Sequence, residues 1–212
     1  LGKKTVQAAL DAAAAKLEKF GFQNCQVWVR AGTYLPTSGT GRNRTITLKA
    51  KVDIFGGFAG TETQLDARKI ADNKTILSGD LGAQGDATDN AYHVVRGATG
   101  ATIDGFTITA GNADGDEDAG GGAGMYNVEA TPTVANCTFT GNKGYDGAGM
   151  YNANASVKVI NCTFSNNTAQ SGAGMYNVNA SPVITSSTFS NNAVSSNGGA
   201  IFNTGSQPTL AN

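Results

Sequence analysis

From residue 101 onward, apolar and polar positions recur with a fixed beat. The run Val134-Ala-Asn-Cys-Thr-Phe-Thr-Gly-Asn142 returns as Val159-Ile-Asn-Cys-Thr-Phe-Ser-Asn-Asn167 and as Ile184-Thr-Ser-Ser-Thr-Phe-Ser-Asn-Asn192. Between these runs a second motif repeats: Gly122-Ala-Gly-Met-Tyr-Asn127, then the same at Gly147 and Gly172, then Gly198-Gly-Ala-Ile-Phe-Asn203, at spacings of 25, 25 and 26 residues. A divergent copy starts at Ile103 and is followed by an insertion holding Asp114 to Asp118. A fixed period of this length marks a solenoid. The units are rich in Thr, Val, Ile, Phe and Tyr, broken by Gly and Asn, which predicts short strands and tight corners rather than helices. Left-handed coils use about 18 residues, so a 25-residue unit predicts an all-β, right-handed parallel β-helix with three unequal sides.

Alternation within a strand then assigns the faces. Phe139, Phe164 and Phe189 point inward with Cys137 and Cys162, and Thr138, Thr163 and Thr188 point out. Equivalent residues stack about 4.8 Å apart, and each buried ring contributes roughly 1.5–3 kcal/mol. Met125, Met150 and Met175 form a second ladder, preceded by glycines that permit sharp turns. Asn142, Asn167 and Asn192 are expected at corners with positive φ, their amides bonding the coils above and below.

The first part of the chain lacks the repeat. Residues 1–24 read as a capping helix: Thr5 is the N-cap, Val6, Leu10, Ala13, Leu17 and Phe20 share one face, and Gly21 ends it. Strand-like runs at 27–29, 45–48, 52–55, 75–77 and 92–95 make residues 25–100 irregular early coils, and residues 101–212 are the regular ones. The sequence stops where another Cys-Thr-Phe is due, so the expectation is one domain of a longer chain, or a rod that stacks on another copy of itself.

Charge adds an asymmetry. Of 15 Lys and Arg, all but Lys143 and Lys158 precede residue 97. A net charge of -1 gives no reason to expect nucleic acid, and no apolar run approaches the ~20 residues of a membrane span. Three cysteines are too few for a disulfide scaffold. Cys137 and Cys162 lie one coil apart, as packed thiols or as a disulfide.

The runs Val27-Trp-Val-Arg-Ala-Gly-Thr-Tyr34, Ile54-Phe-Gly-Gly-Phe-Ala-Gly-Thr-Glu-Thr63, Ile76-Leu-Ser-Gly-Asp80, Tyr92-His-Val-Val95 and Asp104-Gly-Phe-Thr-Ile108 resemble bacterial right-handed parallel β-helix repeat proteins of the pectin-lyase-like superfamily. The Gly198-Gly-Ala-Ile201 and Phe-x-x-Asn runs are also similar to repeats of chlamydial polymorphic outer-membrane proteins. The resemblance implies a secreted or bacterial cell-surface location. It also implies a fold that hosts polysaccharide lyases and hydrolases as well as proteins without activity.

The candidate chemistry is sparse. Paired aspartates and a Gly-His-Gly segment, which the hydrolases of that fold share, are absent. A lyase site would have to come from the early coils, around Arg96 and Asp104, and His93 reads as an ordinary strand position. The expected role is therefore non-catalytic: a structural or adhesive solenoid, with a polysaccharide lyase, hydrolase or carbohydrate-binding module as the alternative. Asn112, Asp114, Asp116 and Asp118 alternate in a flexible loop, which suits Ca²⁺ or simply a solvated acidic loop; Asp80, Asp86 and Asp89 are a weaker candidate. Tyr126, Tyr151, Tyr176 and Phe202 form an outward aromatic ladder, either a platform for surface glycans or a purely structural stack. The Thr-x-Thr and Thr-x-Ser pairs make a hydroxyl array of the kind ice-binding solenoids present, or reflect strand preference alone.

Overall fold

The computed structural model describes residues 4–211, apart from the side chains of residues 117 and 118. One helix, Val6–Phe20, leads into parallel strands stacked in four sheets. The first sheet runs through Cys25–Arg30, Val52–Phe58, Thr102–Asp104, Thr133–Ala135, Lys158–Ile160, Val183–Thr185 and Thr209–Ala211. The second contains Gly32–Tyr34, Thr75–Ser78, Thr107–Thr109, Thr138–Thr140, Thr163–Ser165 and Thr188–Ser190. The third contains Ile46–Thr47, Val95–Arg96, Met125–Val128, Met150–Ala153, Met175–Val178 and Ile201–Thr204. These are the three sides of a right-handed parallel β-helix.

A fourth, short sheet lies between the second and third sides: Asn112–Ala113, Lys143–Gly144, Thr168–Ser171 and Ala193–Asn197. Its first strands are two residues long and carry no alternation, so the sequence pattern does not reveal them. Beneath it Ala148, Ala169 and Ala173 form a small apolar cluster separate from the main core.

Register follows the repeat residue for residue. Phe139 pairs with Phe164 and Phe164 with Phe189. Their rings stack at 4.7 Å, nearly parallel, in the centre of the core with Cys137, Cys162 and the methionines. Alternation turns Thr138 and Thr163 outward on the same strands.

The asparagines differ from expectation. Asn142 and Asn167 are fully buried rather than at positive-φ corners; the left-handed positions are Gly141, Asn166 and Asn191, one residue earlier. The Asn142 backbone N–H and amide both donate to Asn167 Oδ1, and Asn167 repeats this on Asn192. A second buried ladder was not foreseen: Asn127 donates to Asn152, Asn152 to Asn177 and Asn177 to Asn203, at 2.8–2.9 Å. Gly97 closes its early end, where a Cβ would lie 1.9 Å from Asn127 Oδ1. Buried amides of this kind are tolerated because each rung supplies its neighbour's partner; the exception is Asn127 Oδ1 at the early end, which is buried without one among the described residues.

The helix caps the apolar end as expected. The Thr5 hydroxyl accepts from the Ala8 N–H, Gly21 ends the helix at φ 66°, and Val6, Leu10 and Ala13 are buried. Phe20 is 57% exposed and packs against Phe22 instead, because the last turn runs past the edge of the core.

Candidate functional site

The insertion after residue 111 does not gather its acidic residues. Asn112 is buried and donates to the Ala87 carbonyl at 2.7 Å and to the Asp114 carboxylate at 2.9 Å. Asp114 forms an ion pair with Arg42, which also donates to the carbonyls of Asn90 and Asn112 and lies over the Tyr92 ring. Arg42 thus holds Asp114 and the Asn112 carbonyl, while Asn112 Oδ1 is buried without a hydrogen-bond partner among the described residues. Asp116 turns to another side of the loop, and the Asp118 side chain lies outside the described residues. Among the described residues no three carboxylate, His or Cys groups meet in a metal-sized cluster. Asp80, Asp86 and Asp89 are each engaged by N–H groups of their own loop.

The aromatic ladder forms, with a geometry that changes its meaning. Tyr126, Tyr151 and Tyr176 stack at 5.6 Å with planes 8° and 16° apart, and Tyr176 meets Phe202 at 5.0 Å. Their faces lie on one another, so edges rather than faces look outward, and Tyr126 is buried beneath His93, stacked at 4.6 Å, and Arg96. Tyr126, Tyr151 and Tyr176 each have a ring on both sides, whereas Phe202, at the end of the ladder, has one. The hydroxyl array is also self-engaged in part, since Ser165 donates to Thr140 at 3.3 Å.

The early-coil pair expected of a lyase is not assembled. Arg96 lies on the third side and Asp104 on the first. The partner of Asp104 is Arg68, at 2.8 Å, with Asn136 donating to the same oxygen at 2.9 Å. Arg68 also reaches the carbonyls of Gly56 and Asp104. Both side chains are largely buried, at 12% and 13% exposure. The guanidinium and the carboxylate are thus turned on each other and on neighbouring backbone. Cys137 and Cys162 are buried free thiols, and burial pushes the Cys137 thiol well up, away from nucleophilic character.

Two cavities flank the insertion: one of about 370 Å³ along the short fourth sheet, lined among others by Asn112, Asp114, Lys143 and Tyr145, and a smaller one of about 250 Å³ against the aromatic ladder. The smaller one is lined by Gly115, Asp116, Gly120, Gly121, Tyr126, Tyr145, Asp146 and Tyr151. Asp146 bridges Gly121 on one rung to Ser171 on the next. Burial pushes its carboxyl above the ordinary range, and its charge adds to burial in raising the Tyr176 hydroxyl. Sequence reasoning missed Tyr145 and Asp146. The available signal was their departure from the repeat: the following rung has Gln170 and Ser171 in their places.

A family model described as a right handed beta helix region matches residues 16–212. No curated protein and no solved structure matches the chain.

Proposed function

Given that the chain belongs to the right-handed β-helix family, whose members share a scaffold rather than one activity, we propose that it is a rigid, non-catalytic segment of an extracellular or bacterial cell-surface protein. It works as a stalk or adhesive rod. The observation that carries this reading is the use of its polar groups: the asparagine ladders bond to the next rung, Asp104 is closed by Arg68, and Asp114 by Arg42. A general base must be within reach of a substrate proton, and these carboxylates are already spent on the scaffold.

Contact with a surface glycan belongs, on this reading, to the smaller cavity beside the insertion rather than to the tyrosine ladder. Incubation with uronate polymers, with and without Ca²⁺, tests the non-catalytic part. The expected result is no unsaturated product. Product formation that Asp104→Ala abolishes would overturn it and establish a lyase.

A further inference from the structure

We propose that the cavity formed by Asp116, Tyr126, Tyr145, Asp146 and Tyr151 binds a sugar unit carrying a free ammonium group. This rests on the reading of the chain as a contact surface rather than a catalyst.

In a repeat protein each rung is a control for the others. Where a rung only has to stack, it keeps the small polar residues of its neighbours, as Ser171 and Asn197 do on the ladder that contains Asp146. Tyr145 and Asp146 break that rule on the rung that faces the insertion, and the insertion supplies Asp116 to the same cavity. Two independent departures from the repeat therefore converge on one space.

The lining selects the ligand by charge. Among the described residues it includes Asp116 and Asp146 and no Lys, Arg or His. A partly buried carboxylate without a cation is disfavoured, so Asp146 gains from an incoming ammonium. A uronate or other acidic sugar brings like charge and is repelled. A neutral sugar leaves the Asp146 charge uncompensated. Tyr126 and Tyr151 line the cavity and are stacked on one another, so the face each turns to the other is not open to a ligand. Tyr145, 43% exposed, has no stacked neighbour among the described aromatic pairs and offers its ring to the apolar side of a sugar. The volume admits about one sugar unit, below the 300–1,000 Å³ usual for larger ligands.

Calorimetric titration with three probes tests this: the trimers of glucosamine, N-acetylglucosamine and galacturonate. Binding of the glucosamine trimer alone is expected. Its affinity should fall roughly tenfold or more in Asp146→Asn, the loss of a charge-assisted contact, and also fall in Tyr145→Ala. Asp66→Asn, which removes the same charge from a distant exposed site, should leave it unchanged. Absence of glucosamine binding, equal binding of the acetylated trimer, binding of galacturonate, or an equal loss in Asp66→Asn overturns the assignment. Melting curves of each variant verify that it is folded. Chromatography of the trimers after incubation separates the two readings: shorter products would overturn the non-catalytic function while leaving the site itself in place.

Discussion

The two halves of this rod share an apolar inner column but tie their rungs together differently outside it. From residue 101 onward like lies on like: Phe on Phe, Met on Met, Asn on Asn. In the early coils the inward positions still pair apolar with apolar, as Ile54 does with Ile103 and Leu77 with Ile108, but many of the other partners are unlike, as with Phe55 on Asp104, Ile76 on Thr107 and Arg96 on Tyr126. There the rungs are tied by side chains long enough to reach several segments: Arg68 to Gly56 and Asp104, and Arg42 to Asn90, Asn112 and Asp114. This accounts for part of the concentration of basic residues before residue 97. Arginine acts as a fitted clamp where no ladder exists, its planar fork matching several oxygens at once. Stability in the regular half is accordingly a sum over neighbours, whereas in the early half it depends on single residues.

The largest effect should come from the middle of the ring stack. Phe164 is fully buried between Phe139 and Phe189, so Phe164→Ala should cost about 3–5 kcal/mol. Phe189 is only half-buried, and Phe189→Ala should cost about half as much. Denaturant unfolding of both variants measures the difference. Equal losses would mean that the regular half does not behave as a sum over neighbours.

Arg68→Ala should follow, at about 3 kcal/mol, because it leaves the Asp104 carboxylate largely buried with only Asn136 as partner. Arg68→Lys should recover only a fraction, since an ammonium cannot span both the carboxylate and the Gly56 carbonyl as the guanidinium does. Full recovery by lysine in the same unfolding experiment would reduce the clamp to a charge effect.

The asparagine ladders sharpen the contrast within the regular half. Asn152→Ala strands the Asn127 amide on one side and the Asn177 carbonyl oxygen on the other, both buried, and should cost about 2–3 kcal/mol. Asn161→Gly keeps the positive φ of that exposed corner and removes one hydrogen bond to Asn136, for a loss of about 0.5 kcal/mol. Adding Asn177→Ala to Asn152→Ala should cost less than Asn177→Ala alone, because the oxygen stranded by the first change is removed with its residue.

What the sequence made legible follows the same divide. Where the repeat is strict, period and alternation together assign the three main sides, the register and the inward Phe, Met and Cys columns. Ladder membership is readable there, but the direction of an asparagine is not: Asn142 and Asn167 look like corner residues until the sheets place them inside. In the early coils the clamps are invisible, because Arg68 lies 36 residues from Asp104 and Arg42 lies 72 from Asp114. That is why Asn112 and Asp114 read as metal ligands. The ring ladder was found by spacing, yet its use depends on which way the faces point, and that only stacking geometry reveals.

Asp146 should give the smallest effect and the one that separates a rung built to stack from a rung built to bind. Burial raises its carboxyl pKa above the ordinary 3.8, so the folded state holds this proton more tightly than the unfolded state. Its contribution to stability is complete below the unfolded pKa and is lost as pH rises through the folded one. At neutral pH the charge therefore opposes folding, weakly, since the residue is partly solvated. Asp146→Asn should raise Tm at pH 7 by about one degree, and the gain should disappear in acid, where the wild-type carboxyl is protonated. Thermal melts across this pH range measure both parts. A scaffold residue loses stability on substitution, and a ligand-facing one gains it at the expense of function; a fall in Tm at pH 7 would return Asp146 to the scaffold.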